Sequence, residues 1–362
     1  MFKNEFCERF GLDYPIIQAP MAGVSNPVLA AAVYKAGALA SLGCGAMNAV
    51  TLDKNIAEFM SLSGQTKDPL ININFFSHQE EKVDVLANQA WIEQLRSLFE
   101  QFDAQVPTSL EVIYQSLLTD DERVKVILER RPQIVSFHFG LPSESVLQQL
   151  KDAGIVLFAS ACDLHEAKQL EAAGVDYIVA QGYEAGGHRG IFDPNLDPQL
   201  GTLELVKLIA QECKPPVVAT GGIMNGLGIR EVLEQGAVAA QLGTAFVLCP
   251  ESSASAAYRH QLKTEAAKSN PETCVSELIS GRPARGLKTK LTELGDKLVQ
   301  VERLKKPAYP VLYDANKQLN DAALKHGDEG YGAYWSGTGL AAIREMPAEE
   351  LVAVLAKELQ QQ

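Results

Sequence analysis

Tyr177-Ile-Val-Ala-Gln-Gly-Tyr-Glu-Ala-Gly-Gly-His-Arg-Gly190 joins a short apolar run to a loop with four glycines, a carboxylate, an imidazole and a guanidinium. Tyr177 to Ala180 reads as a strand buried on both faces, since no polar residue interrupts it. Glycine at the density of the following loop gives up backbone order, and the usual reason is a close approach of main chain to a ligand. His188 in such a loop is a candidate reacting group, because imidazole changes charge near neutral pH. A mobile turn with one solvated histidine is the competing reading, and the segments on either side decide between the two.

Seven other apolar runs resemble Tyr177–Gln181: Pro15–Met21, Leu39–Gly43, Leu70–Phe76, Ile134–Gly140, Val156–Ala161, Val217–Gly221 and Ala239–Gly243. Helical patterns lie between them at 26–36, 52–62, 143–153, 164–173, 203–212 and 228–234, several ending near Gly37, Gly154, Gly174 or Gly236 as C-terminal caps. The third spacing is longer and holds two helical patterns, 84–102 and 120–130, around a turn at Pro107. Buried strands alternating with helices imply parallel pairing and right-handed crossovers. Eight units predict an α/β fold, a closed (β/α)8 TIM barrel. From Glu251 the strand pattern stops, and a mostly helical lobe follows the last barrel strand, with Gly281-Arg-Pro-Ala-Arg-Gly286 at its centre. The expected division is a barrel over 1–250, a covering lobe over 251–314, and a segment over 315–362 whose last helix, 348–360, packs back on the barrel.

The chain has 362 residues, net charge −13 and 46% hydrophobic content. That length can bury a large core, and the acidic balance argues against wrapping nucleic acid. The stretch Met-Phe-Lys-Asn-Glu-Phe-Cys-Glu-Arg9 lacks the apolar core of a signal peptide, and no run is long enough to span a bilayer. Six scattered cysteines, without paired spacing, read as thiols in a reducing compartment, so a cytoplasmic location is expected. No metal site is indicated, and a homodimer stays open.

In such a barrel the reactive residues sit in loops at the C-terminal ends of the strands. Strand one ends in Gln18-Ala-Pro-Met-Ala-Gly23, strand three in Asn72-Ile-Asn74-Phe-Phe76, and strand four in Ser136-Phe-His-Phe-Gly140. Strands seven and eight end in Ala219-Thr-Gly-Gly-Ile223 and Gln241-Leu-Gly-Thr-Ala-Phe246, the two places where barrels build phosphate sites from backbone amides. Gly221 and Gly222 would let the chain approach a phosphate, and Gly243 and Thr244 would donate to it. With no Lys or Asp cage nearby, such a site suits a cofactor tail better than a phosphoryl-transfer centre.

These stretches, with Glu184–Gly190, Ser136-Phe-His-Phe-Gly-Leu-Pro142 and Pro307-Ala-Tyr-Pro-Val-Leu-Tyr313 plus Lys317, resemble those of the nitronate monooxygenase (2-nitropropane dioxygenase) family, class I. The resemblance implies a TIM barrel with non-covalent FMN under a smaller helical domain. It places Asn74, Gln181, Gly186, Gly221, Gly222 and the run Gln241, Leu242, Gly243, Thr244 around FMN, with Met21 and Ala22 near its ring system. It makes His188 the active-site histidine and puts His138, Tyr309, Tyr313 and Lys317 at the substrate. One departure is Thr338, where the pattern calls for Gln.

The implied reaction oxidises alkyl nitronates, such as propionate 3-nitronate, with O2 to carbonyl compounds and nitrite through a flavin semiquinone. A nitronate is already ionised, so His188 is expected to orient the anion and to act as a base only toward neutral nitroalkanes. An NAD(P)H-dependent reductase of quinones or enoyl thioesters on the same scaffold is the first alternative, and a non-enzymatic flavin-binding module is the second. His78, His165, His260 and His326 are expected to be ordinary surface groups.

Overall fold

The computed structural model describes residues 4–80 and 82–361; Met1–Lys3, the start of the N-terminal stretch read above, lie outside them. Eight parallel strands form the barrel: β1 (Ile16–Gln18), β2 (Ser41–Gly43), β3 (Asn72–Phe76), β4 (Ile134–His138), β5 (Val156–Ala161), β6 (Tyr177–Gln181), then β8 (Val217–Thr220) and β9 (Ala237–Leu242) after the short intervening β7 (Gly187–His188). Their order is β1-β9-β8-β6-β5-β4-β3-β2, and a parallel bridge between Ile17 and Leu39 closes the ring. The eight runs read from the sequence are these eight strands. Each crossover carries the expected helix, and the closing helix runs Ala348–Gln360.

Alternation along the strands sorts their side chains into two sets, because successive residues point to opposite faces. Ile73, Phe75, Val135, Phe137, Leu157, Ala159, Ile178, Ala180, Ala240 and Leu242 point outward into the core beneath the helices. Ile17, Ile134, Phe158, Tyr177, Val179, Val218 and Ala239 fill the barrel interior, where Phe6 and Phe10 of the helix Glu5–Phe10 join them. One inward step higher, the same strands carry Asn74, Ser136, Ser160, Gln181, Thr220 and Gln241. The interior is therefore apolar below and polar at the C-terminal rim.

The lobe has its own core. Trp91, Leu95 and Phe99, from the helix Val85–Gln101 in the long third connection, pack with Leu278, Leu291, Leu298, Leu312 and Leu319. The lobe also contains strands: β10 (Cys274–Ser276) and β11 (Ala284–Gly286) form an antiparallel sheet whose third member is β7. Trp335 joins through a bridge to Gly286. The loop that carries His188 is thus sewn into the lobe. None of the described helices is long and apolar enough to cross a membrane.

Candidate active site

A cavity of about 1300 Å³ opens between the barrel rim and the lobe. It brings together Met21, Ala22, Asn74, His138, Gln181, Gly186, His188, Gly221, Gly222, Gln241, Gly243, Thr244 and Tyr313 from the residues expected above. Three others do not reach its wall. Leu242 lies on the outer face of β9, in the core under the helices, because its neighbour Gln241 takes the inward position. Tyr309 is buried behind His188, with ring centroids 5.5 Å apart. Lys317 stands on an adjoining smaller cavity, its ammonium 5.6 Å from the Tyr313 ring and 6.0 Å from that of Tyr114.

The amides of Gly222, Gly243 and Thr244 have no acceptor among the described residues. A row of free N–H groups after β8 and β9 suits an anion. The lobe closes over this row: the Gly337 amide donates to Thr244 Oγ1 (3.0 Å), and the Thr338 amide donates to the Glu184 carbonyl (3.0 Å). Thr338, the residue that departs from the family pattern, therefore makes its contact through main chain.

His188 is held from both sides. Gln181 Nε2 and His138 Nε2 donate to its carbonyl at 2.9 and 3.2 Å, and its ring Nε2 lies 2.8 Å from Ser280 Oγ. Gln181 spends its other end on the Gly190 amide (2.6 Å), so this residue closes the loop on itself. His138 has no free nitrogen either, since Ser160 Oγ sits 2.9 Å from its Nδ1. Arg189 points away from the cavity. It pairs with Asp197 at 2.8 Å, donates to the Gln181 and Gly182 carbonyls, and is fully buried. The guanidinium of the glycine loop is a structural staple.

Burial, with His138 and the Arg282 guanidinium close by, brings the His188 imidazole down to about 3. Burial likewise brings His138 to about 4, although the His188 carbonyl opposes the shift. Both rings are neutral at neutral pH. Burial raises the phenols of Tyr114, Tyr258 and Tyr313, which remain protonated donors.

His78 is not a surface group. It is 1% exposed, and burial brings it to about 4. Its ring meets Tyr309 edge-on at 4.9 Å, and neither nitrogen has a hydrogen-bond partner. The lobe segment carrying Tyr309 and Arg282 covers what its polar neighbours Ser77 and Gln79 suggested was open. The sequence reading missed Phe76, Tyr114, Tyr258 and Trp335 as cavity walls. Trp335 lies 5.2 Å from His188 by ring centroids. An aromatic residue inside a polar connector, as Tyr114 is, was the one available signal.

The nitronate monooxygenase family model matches residues 3–358. A nitronate monooxygenase from Paraburkholderia phytofirmans is 52% identical, the match covering 99% of this chain and 96% of that protein. The nitronate monooxygenase of Pseudomonas aeruginosa is 46% identical over 98% of this chain and 99% of its own length. Among solved structures, the nitroalkane oxidase of Streptomyces ansochromogenes superposes with a TM-score of 0.83 at 36% identity, covering 96% of both chains. Barrel, rim and lobe are shared over nearly the whole length, and the chain belongs to the nitronate monooxygenase family.

Proposed function

We propose that the protein is an FMN-dependent nitronate monooxygenase, converting alkyl nitronates such as propionate 3-nitronate, with O2, to carbonyl compounds and nitrite. The family is flavin-dependent in general. The observation that carries the reading is the meeting, in one cavity, of the free amides after β8 and β9 with the His188 ring. Gly222, Gly243 and Thr244 would hold the FMN phosphate, and Met21, Ala22, Asn74 and Gly186 would border its ring system. FMN, when bound, supplies the redox chemistry.

The chain's own residues supply position and polarity. His188 is neutral, so it offers a nitronate no formal charge at neutral pH; the anion is held instead by neutral donors, with the Tyr258 and Tyr313 hydroxyls in the wall. Phe76, Tyr114 and Trp335 exclude water from the reacting face. The six cysteines, all free thiols, support a cytoplasmic location for this activity.

Oxygen uptake and nitrite release on mixing the purified flavoprotein with propionate 3-nitronate test the proposal. Both should appear without added NAD(P)H. Flavin-loaded protein that releases no nitrite, and whose flavin bleaches rapidly with NAD(P)H under anaerobic conditions, would make it a reductase instead.

A further inference from the structure

We infer that Ser280 decides which nitrogen of His188 carries the proton, leaving Nδ1 as the lone pair that faces the cavity; this rests on the function proposed above. The argument is proton counting. Ser280 is fully buried on the turn between β10 and β11. Its hydroxyl donates to the Arg282 carbonyl (3.2 Å), and the Arg282 amide points at the same oxygen (3.5 Å). A hydroxyl has one proton, so the His188 nitrogen 2.8 Å away meets a lone pair and must bring its own N–H. A neutral imidazole has one N–H, and Nε2 takes it. Nδ1 is then bare. It has no partner in the chain, it is not among the sealed-off buried atoms, and His188 lines the cavity.

The turn has little freedom to do otherwise. Gly281 has φ +101°, and a Cβ there would lie 2.6 Å from the Tyr309 nitrogen, so only glycine lets the turn sit against residues 308–309. Lys306 Nζ ties down the Gly281 carbonyl at 2.8 Å. His138 is wired in the opposite way: its Nε2–H goes to the His188 carbonyl, and the Ser160 hydroxyl donates to its Nδ1. It has no lone pair to offer.

A bare Nδ1 can take a proton and cannot give one to an anion. With a neutral nitroalkane, the C–H bond beside the nitro group breaks and its proton goes to Nδ1. The electron pair stays delocalised over carbon and the nitro oxygens as the nitronate, and no oxidant enters this step. Ser280 is thus a positioning residue for substrates that still carry that proton, and matters little for one that has lost it.

The test uses holoenzyme labelled with [15N]histidine, with His188→Asn to assign the signal. Wild type and Ser280→Thr should show a pyrrole-type Nε2 and a pyridine-type Nδ1 for His188, and Ser280→Ala should show an averaged pair. In Ser280→Ala, kcat/KM for nitroethane should fall about tenfold or more, while that for propionate 3-nitronate changes less than about threefold. Ser280→Thr should restore the ratio. A proton on Nδ1 in wild type, an unchanged substrate ratio in Ser280→Ala, or a wild type active on the nitronate and inert toward nitroethane overturns the inference. A wild type inert toward both substrates sinks the proposed function instead, and the nitrogen spectrum still decides Ser280.

Discussion

The two walls of the cavity are made of different material. The barrel rim presents main chain, the amides of Gly222, Gly243 and Thr244, with short polar side chains set by strand alternation below them. The lobe side presents rings and hydroxyls: Tyr258, Tyr313, Trp335 and the Ser280 that holds His188. His188 belongs to both, since its chain leaves β6 of the barrel and its strand pairs with β11 of the lobe. A wall of amides can bind an anion without caring about side-chain identity, whereas a wall of side chains can be tuned to one substrate. Binding and selectivity are therefore separable in this molecule.

Replacing His188 by Asn separates them most sharply. The amides are untouched, so flavin should co-purify at the wild-type ratio. Nitrite formation should fall by about two to four orders of magnitude, as for loss of a positioned proton-transfer or hydrogen-bonding group. Absorbance spectra and a nitrite assay measure the two effects, and parallel loss of flavin and activity would mean that the walls are not independent.

Gly222→Val is the converse. Gly222 has φ +69°, and a Cβ there would lie 3.0 Å from Glu184 Cβ and 3.3 Å from Thr338 Oγ1. The strained turn would shift the amide row. Flavin per chain should drop about tenfold under dilute conditions, equivalent to about 1.4 kcal/mol of binding. The wild-type His188 nitrogen spectrum should survive in the fraction that keeps flavin. Full flavin content in this variant would remove main chain from the account of the rim.

The same division explains what could be read from the amino-acid sequence. All eight barrel strands were visible because they are buried on both faces and so form continuous apolar runs. Their ends were overrun: the run 217–221 stops at Thr220, since Gly221, at φ +132°, leaves the extended region. The rim was legible because glycine pairs after strands carry a local signal. The lobe side was not. Ser280, Tyr258 and Trp335 come from segments with no pattern of their own and meet His188 only through packing. The helix Val85–Gln101 looked like part of a long barrel connection, yet it supplies Trp91, Leu95 and Phe99 to the lobe core. Leu242 was carried along with its motif, although strand alternation alone would have turned it outward.

His78 marks the seam where these two kinds of legibility meet, and it gives the smallest and cleanest test. Its nitrogens have no partners, so the ring is held as a neutral apolar body against Tyr309 and Phe139. His78→Leu should therefore lie within about 1 kcal/mol of wild type at pH 7, because no buried hydrogen bond is lost. Acid should reveal the difference. The folded-state value, about 4, lies below the ordinary 6.5, so the unfolded chain takes up a proton that the folded chain refuses. The stability tied to neutral His78 is complete above pH 6.5 and is lost as pH falls toward 4. His138 and His188 are shifted in the same direction. Removing His78 should flatten the acid limb by up to one proton, about 1.4 kcal/mol per pH unit. Urea midpoints at several pH values between 4.5 and 7 measure this slope. Equal slopes in the two proteins would mean that His78 titrates freely, and that the lobe does not seal the seam above it.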